Sequence, residues 1–240
     1  MKKIFLLIAF SLLLLSNRAI SQDLYGLWTG VEVTKPLSNS LSVSVSPELR
    51  TTTSPFVVDD MLLEASIAFK PLKWLQIVGG YRYSRFYESD FDDRFNEHRY
   101  SIAIRPKFDL GRFSFSYRGQ YQRSMIYWCD MGYSIETKDN FRNRLQITYD
   151  VPNSKVEPFA SGELYYDLTS GKQKEFSRLR VRAGVTYPLN KRNEIEVFGQ
   201  YQTKLNAKTH ETSYVLGIFY NFSFRKSKPA AIESISVEGN

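Results

Sequence analysis

From Phe176 to Tyr187 the chain alternates without a break between two chemical classes. Arg178, Arg180, Arg182, Gly184 and Thr186 share one parity, and Leu179, Val181, Ala183, Val185 and Tyr187 share the other. Successive side chains of a strand point to opposite faces, so the stretch is a strand with one charged and one apolar face, and its period excludes a helix. Alternation alone leaves open whether the apolar face meets a protein core or lipid, because a soluble barrel and a membrane barrel share the pattern with opposite geometry. The rest of the chain has to decide.

The pattern recurs along almost the whole length. Leu41, Val43, Val45 and Leu49 oppose Ser42, Ser44, Ser46, Glu48 and Arg50, and Leu63, Ala65, Ile67 and Phe69 oppose Glu64, Ser66 and Lys70. Leu75, Ile77, Gly79, Tyr81 and Tyr83 oppose Gln76, Gly80, Arg82 and Ser84; Ile102, Ile104 and Phe108 oppose Arg99, Ser101, Arg105 and Lys107. Further strands run through Phe113–Gln122, Arg142–Tyr149, Phe159–Tyr166, Glu194–Gln202 and Tyr214–Phe224, with a weaker one at Leu24–Val33. No segment shows convincing helical periodicity.

Connections alternate between short ones, such as Pro71–Lys73 and Asp109–Arg112, and long ones, such as Thr51–Asp60, Tyr87–Asn96 and Ser124–Asn140. Outer-membrane barrels have short periplasmic turns and longer external loops. The apolar faces carry essentially no charge in mid-strand, and their aromatic residues gather toward strand ends as interfacial girdles do. Strands of about 10 to 12 residues suit a tilted crossing of a bilayer. These features predict an all-β fold, an antiparallel up-and-down transmembrane β-barrel of about 10 to 12 strands. The count is uncomfortable: with Leu24–Val33 it reaches about eleven, whereas bacterial single-chain barrels use even numbers. Either that segment packs without closing the barrel or one more strand is hidden.

The start of the chain reads as an export signal: Lys2 and Lys3, an apolar run from Ile4 to Leu15, then Ala19 and Ser21 at the spacing a signal peptidase accepts. The expected organisation is a cleaved signal peptide at 1–21, a barrel at 22–224 and a periplasmic tail at 225–240. Gly217, Tyr220 and Phe222 follow the terminal-strand spacing read by barrel-assembly machinery, with Val215 at a usually polar position. The expected location is the outer membrane of a Gram-negative bacterium, and the expected partners are outer-membrane lipids, lipopolysaccharide and the barrel-assembly machinery. Losing Lys2, Lys3 and Arg18 with the signal lowers the formal charge from +7 to +4. Nucleic acid is not an expected partner, because arginines and aromatic residues lie on opposite strand faces and cannot line one groove.

Trp28-Thr29, Glu48-x-Arg50, Arg142-Asn143-Arg144-Leu145, Pro158-Phe159-x-Ser161-x-Glu163, Arg178-x-Arg180 with Gly184 and Tyr187, and Tyr220–Phe224 occur in this order over nearly the whole mature chain. In this the chain resembles a family of uncharacterised outer-membrane β-barrel proteins, a domain of unknown function common in Bacteroidota. The resemblance implies the barrel and the location, and it transfers no catalytic residues.

Few residues suggest chemistry. His98 and His210 are the only histidines and flank long loops, but no nucleophile motif surrounds Ser101, Ser124 or Ser213. Glu88, Asp90, Asp92 and Asp93 make one connection acidic, without a calcium-loop pattern. Cys129, the single cysteine, can form neither an intramolecular disulfide nor a metal cluster. No cofactor, metal or catalytic residue is expected.

The polar faces are more informative. Arg142 and Arg144 precede Glu157 and Glu163, then come Arg178, Arg180 and Arg182, then Glu194 and Glu196, so charge alternates over four consecutive strands. Opposite charges across a ladder stabilise a sheet. The expectation is a network of ion pairs among these nine residues that narrows or closes the lumen. The functional expectation is a barrel for small-solute passage or binding, or for envelope structure. Two alternatives are an outer-membrane lipid-modifying enzyme and a soluble periplasmic lipocalin-like barrel with its apolar face inward.

Overall fold

The computed structural model describes residues 22–51, 58–88, 93–128, 134–169, 171, 173–205 and 211–224. They form eleven strands: β1 (Gln22–Pro36), β2 (Leu41–Arg50), β3 (Asp60–Leu72), β4 (Leu75–Glu88), β5 (Asp93–Leu110), β6 (Phe113–Trp128), β7 (Ser134–Tyr149), β8 (Glu157–Asp167), β9 (Phe176–Pro188), β10 (Asn193–Lys204) and β11 (Glu211–Ser223). Chain neighbours pair antiparallel all the way round, and β1 closes the barrel against β11. Every strand therefore has two partners and no edge is left open.

The closing pair resolves the strand count. Leu24–Val33 belongs to β1 and pairs with β11 in parallel, Trp28 beside Gly217 and Gly30 beside Phe219. An odd number closes only if one pair is parallel, since strands otherwise alternate in direction. Neither expected alternative holds: the segment is part of the wall, and no further strand is needed. A small residue faces a large one at both positions on the inner face, which seats this register sterically. As a consequence β1 starts at the long-loop end of the barrel, and β11 finishes at the short-turn end.

Sequence parity becomes inside and outside. Val45, Ile67, Ile102, Ile104, Leu145, Val181, Val185, Leu216 and Ile218 are exposed on the outer surface. Gln120, Gln122, Ser124, Arg142, Ser161, Glu163 and Gln200 are buried within. This is the reverse of a lipocalin, in which the apolar face would line the cavity. Aromatic residues ring the outer surface at two levels. Near the short turns Phe108 stacks on Phe115, and Phe113 packs on Tyr149. Near the long loops Tyr81, Tyr83 and Tyr127 surround His98, and Tyr214 packs between Tyr25 and Tyr201.

Two expected loops are mostly strand. β6 and β7 continue from Ser124 opposite Lys138 to Trp128 opposite Ser134, and β4 and β5 continue to Glu88 opposite Asp93. Their side chains lose the sharp apolar contrast there, so alternation fades although the ladder does not. Charge reaches the outer face at that level, where Arg123 Nε donates to Asp139 at 2.8 Å and the Tyr121 hydroxyl donates to the same carboxylate. Asp90, Asp92, Cys129 and His210 lie outside the described residues.

One seam is incomplete. β1 and β2 pair from Trp28 to Gly30 and again from Val33 to Pro36, with the interval opposite Pro47 and Ser46 unpaired. Pro47 has no N–H to give a ladder, and β2 turns that side of its backbone toward β1.

Candidate functional site

The inner faces enclose a cavity of about 920 Å³. Strand parity delivers long polar side chains into it from most strands, and a closed sheet this narrow brings side chains of non-adjacent strands within reach. Their arrangement is specific.

Glu163 of β8 is the hub. Its carboxylate accepts from Arg142 Nη2 at 2.9 Å, Arg118 Nη2 at 2.5 Å and Arg180 Nη1 at 3.3 Å. The Tyr165 hydroxyl adds a bond at 3.3 Å, and Glu163 is only 4% exposed. One carboxylate thus holds three guanidinium groups from β6, β7 and β9. Tyr165 extends the knot, its ring lying 4.6 Å from the guanidinium carbon of Arg142 and 5.4 Å from that of Arg178.

Among the nine residues singled out in sequence, the structure joins Arg142, Glu163 and Arg180 directly. Arg144 stands opposite Glu163 in the ladder but turns to Gln146. Arg182 stands opposite Gln200 and donates to it at 2.7 Å. Glu194 and Glu196 face Pro188 and Thr186, three and two inward rungs beyond Arg182 toward the short turns, and among the described residues make no ion pair with the arginines. Glu194 accepts from Asn221 instead. Glu157 is exposed at the start of β8. Charge sign was readable from each strand; register, which sets who meets whom, was not.

Other participants lay outside that set. Arg118 is the third arginine on Glu163; it sits on the polar parity of β6, and only the barrel's curvature brings it across β7. A second cluster joins Glu48 to Arg50 at 2.5 Å and to Arg82 at 3.8 Å, with Arg82 also on Glu64 at 2.5 Å. In a third, Arg99 binds Glu97 at 2.8 Å and donates to Ser124 at 3.0 Å.

Apolar rings fill the gaps between these clusters. Trp28 packs under Arg50, whose guanidinium carbon is 4.0 Å from its ring. Phe198 lies 3.8 Å beneath Arg182 and stacks on Phe219 at 5.7 Å. Phe198 breaks the parity of β10, standing between Glu196 and Gln200, and that break is its sequence signal. Val215, likewise apolar at an inward position, is buried.

The Nδ1 of His98 lies 2.7 Å from the Tyr81 hydroxyl on the outer face, on the other side of the wall from the lumen carboxylates. Among the described residues no cluster of His, Cys, Asp and Glu has metal-binding geometry.

A closed all-β wall, apolar outside and charged within, defines a β-barrel fold of outer-membrane type. The chain belongs to the family of proteins of unknown function DUF2490, whose model matches residues 25–213. The fold is similar to that of the β domain of the Bordetella autotransporter Brka, with a TM-score of 0.51 at 13% identity over 78% of this chain and 85% of that one. It is also similar to the NanC porin, with a TM-score of 0.51 at 15% identity over 83% of this chain and 97% of that one. No curated protein sequence matches the chain.

Proposed function

We propose that this protein is an outer-membrane barrel whose lumen admits and holds small polar solutes, with ion pairs restricting the passage. The observation that carries this is the cavity of about 920 Å³, walled by charged side chains and crossed by the three arginines on Glu163. The apolar outer surface with two aromatic rings suits a bilayer, because a closed wall needs no hydrogen bonds from lipid. Gln22, the residue expected to follow signal cleavage, is the first residue of β1. The tail from residue 225 would then lie in the periplasm, and the long connections would face lipopolysaccharide. A porin among the similar folds is compatible with passage, although fold similarity alone assigns no solute.

The test is reconstitution of the purified barrel. Proteoliposomes should admit monosaccharide-sized solutes and exclude large oligosaccharides, and planar bilayers should show steps well below those of a general porin. Vesicles that remain impermeable to every small solute would overturn the passage reading. Free entry of large oligosaccharides would overturn the restriction.

A further inference from the structure

The charges lining the cavity do not balance. Among the described residues that line it, twelve basic side chains face eight acidic ones, an excess of four positive charges. The surplus is concentrated in one row. Arg118 of β6 stands directly opposite Arg144 of β7, and the pairs Ile104–Gly119 and Lys107–Ser116 bracket Arg105 of β5 opposite Arg118. Three adjacent strands therefore present arginine at the same rung, although like charges directly opposite each other destabilise a sheet.

Neutralisation within the protein is incomplete. Glu163 reaches the row only through Arg118. The Arg105 guanidinium donates to no acceptor among the described residues, and its Nε is buried without a partner, as is the Nε of Arg118. Among the described residues Arg144 bonds only to the neutral Gln146. Arg182 adds to the positive field at Arg144, and Glu196 attracts both from beyond ion-pair distance. Buried N–H groups left unbonded cost free energy, and two of them, the Nε groups of Arg105 and Arg118, belong to side chains that line one cavity, a row short of acceptors.

We infer that the row Arg105–Arg118–Arg144 binds a small oxyanion, a carboxylate or phosphate group borne by the solute that enters the lumen. Guanidinium forks match the paired oxygens of such groups, and neighbouring strands about 4.8 Å apart let several forks share one anion. The inference rests on the solute-passage reading for its source of ligand but is tested separately from it.

The experiment is calorimetric titration of the intact barrel in detergent with glucuronate, with inorganic phosphate and with glucose as the neutral control. Glucuronate or phosphate should bind and glucose should not. Arg105→Gln and Arg144→Gln should each weaken that binding about 10-fold, the loss expected for a charge-assisted hydrogen bond. Neither should lower the unfolding midpoint, since each removes a like-charge repulsion. In bilayers under a KCl gradient the wild type should favour chloride, and both variants should move the reversal potential toward potassium. Anions binding no better than glucose would overturn the site. So would variants that destabilise the barrel while leaving affinity unchanged, which would make the row structural. A barrel that conducts without anion preference and binds neither anion overturns this inference and spares passage; one that binds glucuronate but stays impermeable does the opposite.

Discussion

The ring of Phe198 lies directly over the Cα of Gly217, its partner across the β10–β11 ladder, and occupies the space a side chain there would need. On its other flank Phe198 pairs with Gly184, where a Cβ would stand 2.5 Å from the Phe198 Cβ. With its ring over one glycine and its Cβ against the other, Phe198 fixes register, because a slip of one rung drives it into a side chain. Gly217→Val should lower the unfolding free energy by about 1 to 3 kcal/mol through overpacking. Phe198→Ala should cost about 3 to 5 kcal/mol, and combining the two should cost less than their sum. Urea titrations of refolded protein measure all three; strict additivity would show that ring and glycine do not touch.

Glu163 binds three arginines while itself almost fully buried. Removing one partner of a buried pair leaves uncompensated charge and costs about 3 to 5 kcal/mol. Glu163→Gln strands three guanidinium groups at once and should reach at least that range, exceeding the effect of Arg180→Ala, which leaves Glu163 two partners. Arg180→Ala should still lower the midpoint or raise single-channel conductance. Equal stability of wild type and Glu163→Gln would mean that the knot is hydrated and only weakly coupled.

The parallel closure places Thr29 beside Ile218 on the outer face. With Cys129 replaced by Ser, a Thr29→Cys/Ile218→Cys variant should form an intramolecular disulfide under mild oxidation, because neighbouring-strand Cα separations fall within disulfide reach. The shift from Thr29→Cys/Ile218→Cys to Thr29→Cys/Leu216→Cys, one inward-outward repeat away, should abolish efficient cross-linking. Mobility on non-reducing gels reports both. Equal cross-linking of the two pairs would argue against a fixed register at the seam.

Eleven strands put the two ends of the wall at opposite ends of the barrel, and so on opposite sides of the outer membrane proposed for it. An epitope inserted after Gln22 should be accessible to antibody on intact cells, whereas one placed after Phe224 should require permeabilisation. Accessibility of both from the same side would demand an even-stranded barrel.

Strand existence and the split of each strand into an apolar and a polar face were determined by sequence alone, because a two-residue period is a local property that each segment carries by itself; that the apolar face looks outward was decided by how the sheet closes. From Phe176 to Tyr187 the arginines could have pointed nowhere but to one common face. The same local logic failed where contrast faded, at Ser124–Trp128, and at β1, whose partner β11 lies at the far end of the chain. Parallel closure has no signature within either strand. The candidate site divides in the same way. That Arg105, Arg118, Arg142, Arg144, Glu163 and Arg180 share the polar face follows from parity. That Glu163 gathers Arg118, Arg142 and Arg180, while Arg105 finds no acceptor among the described residues, was decided by register and by the curvature of the closed sheet, which bring together side chains from β5 to β9 that no spacing along the sequence relates.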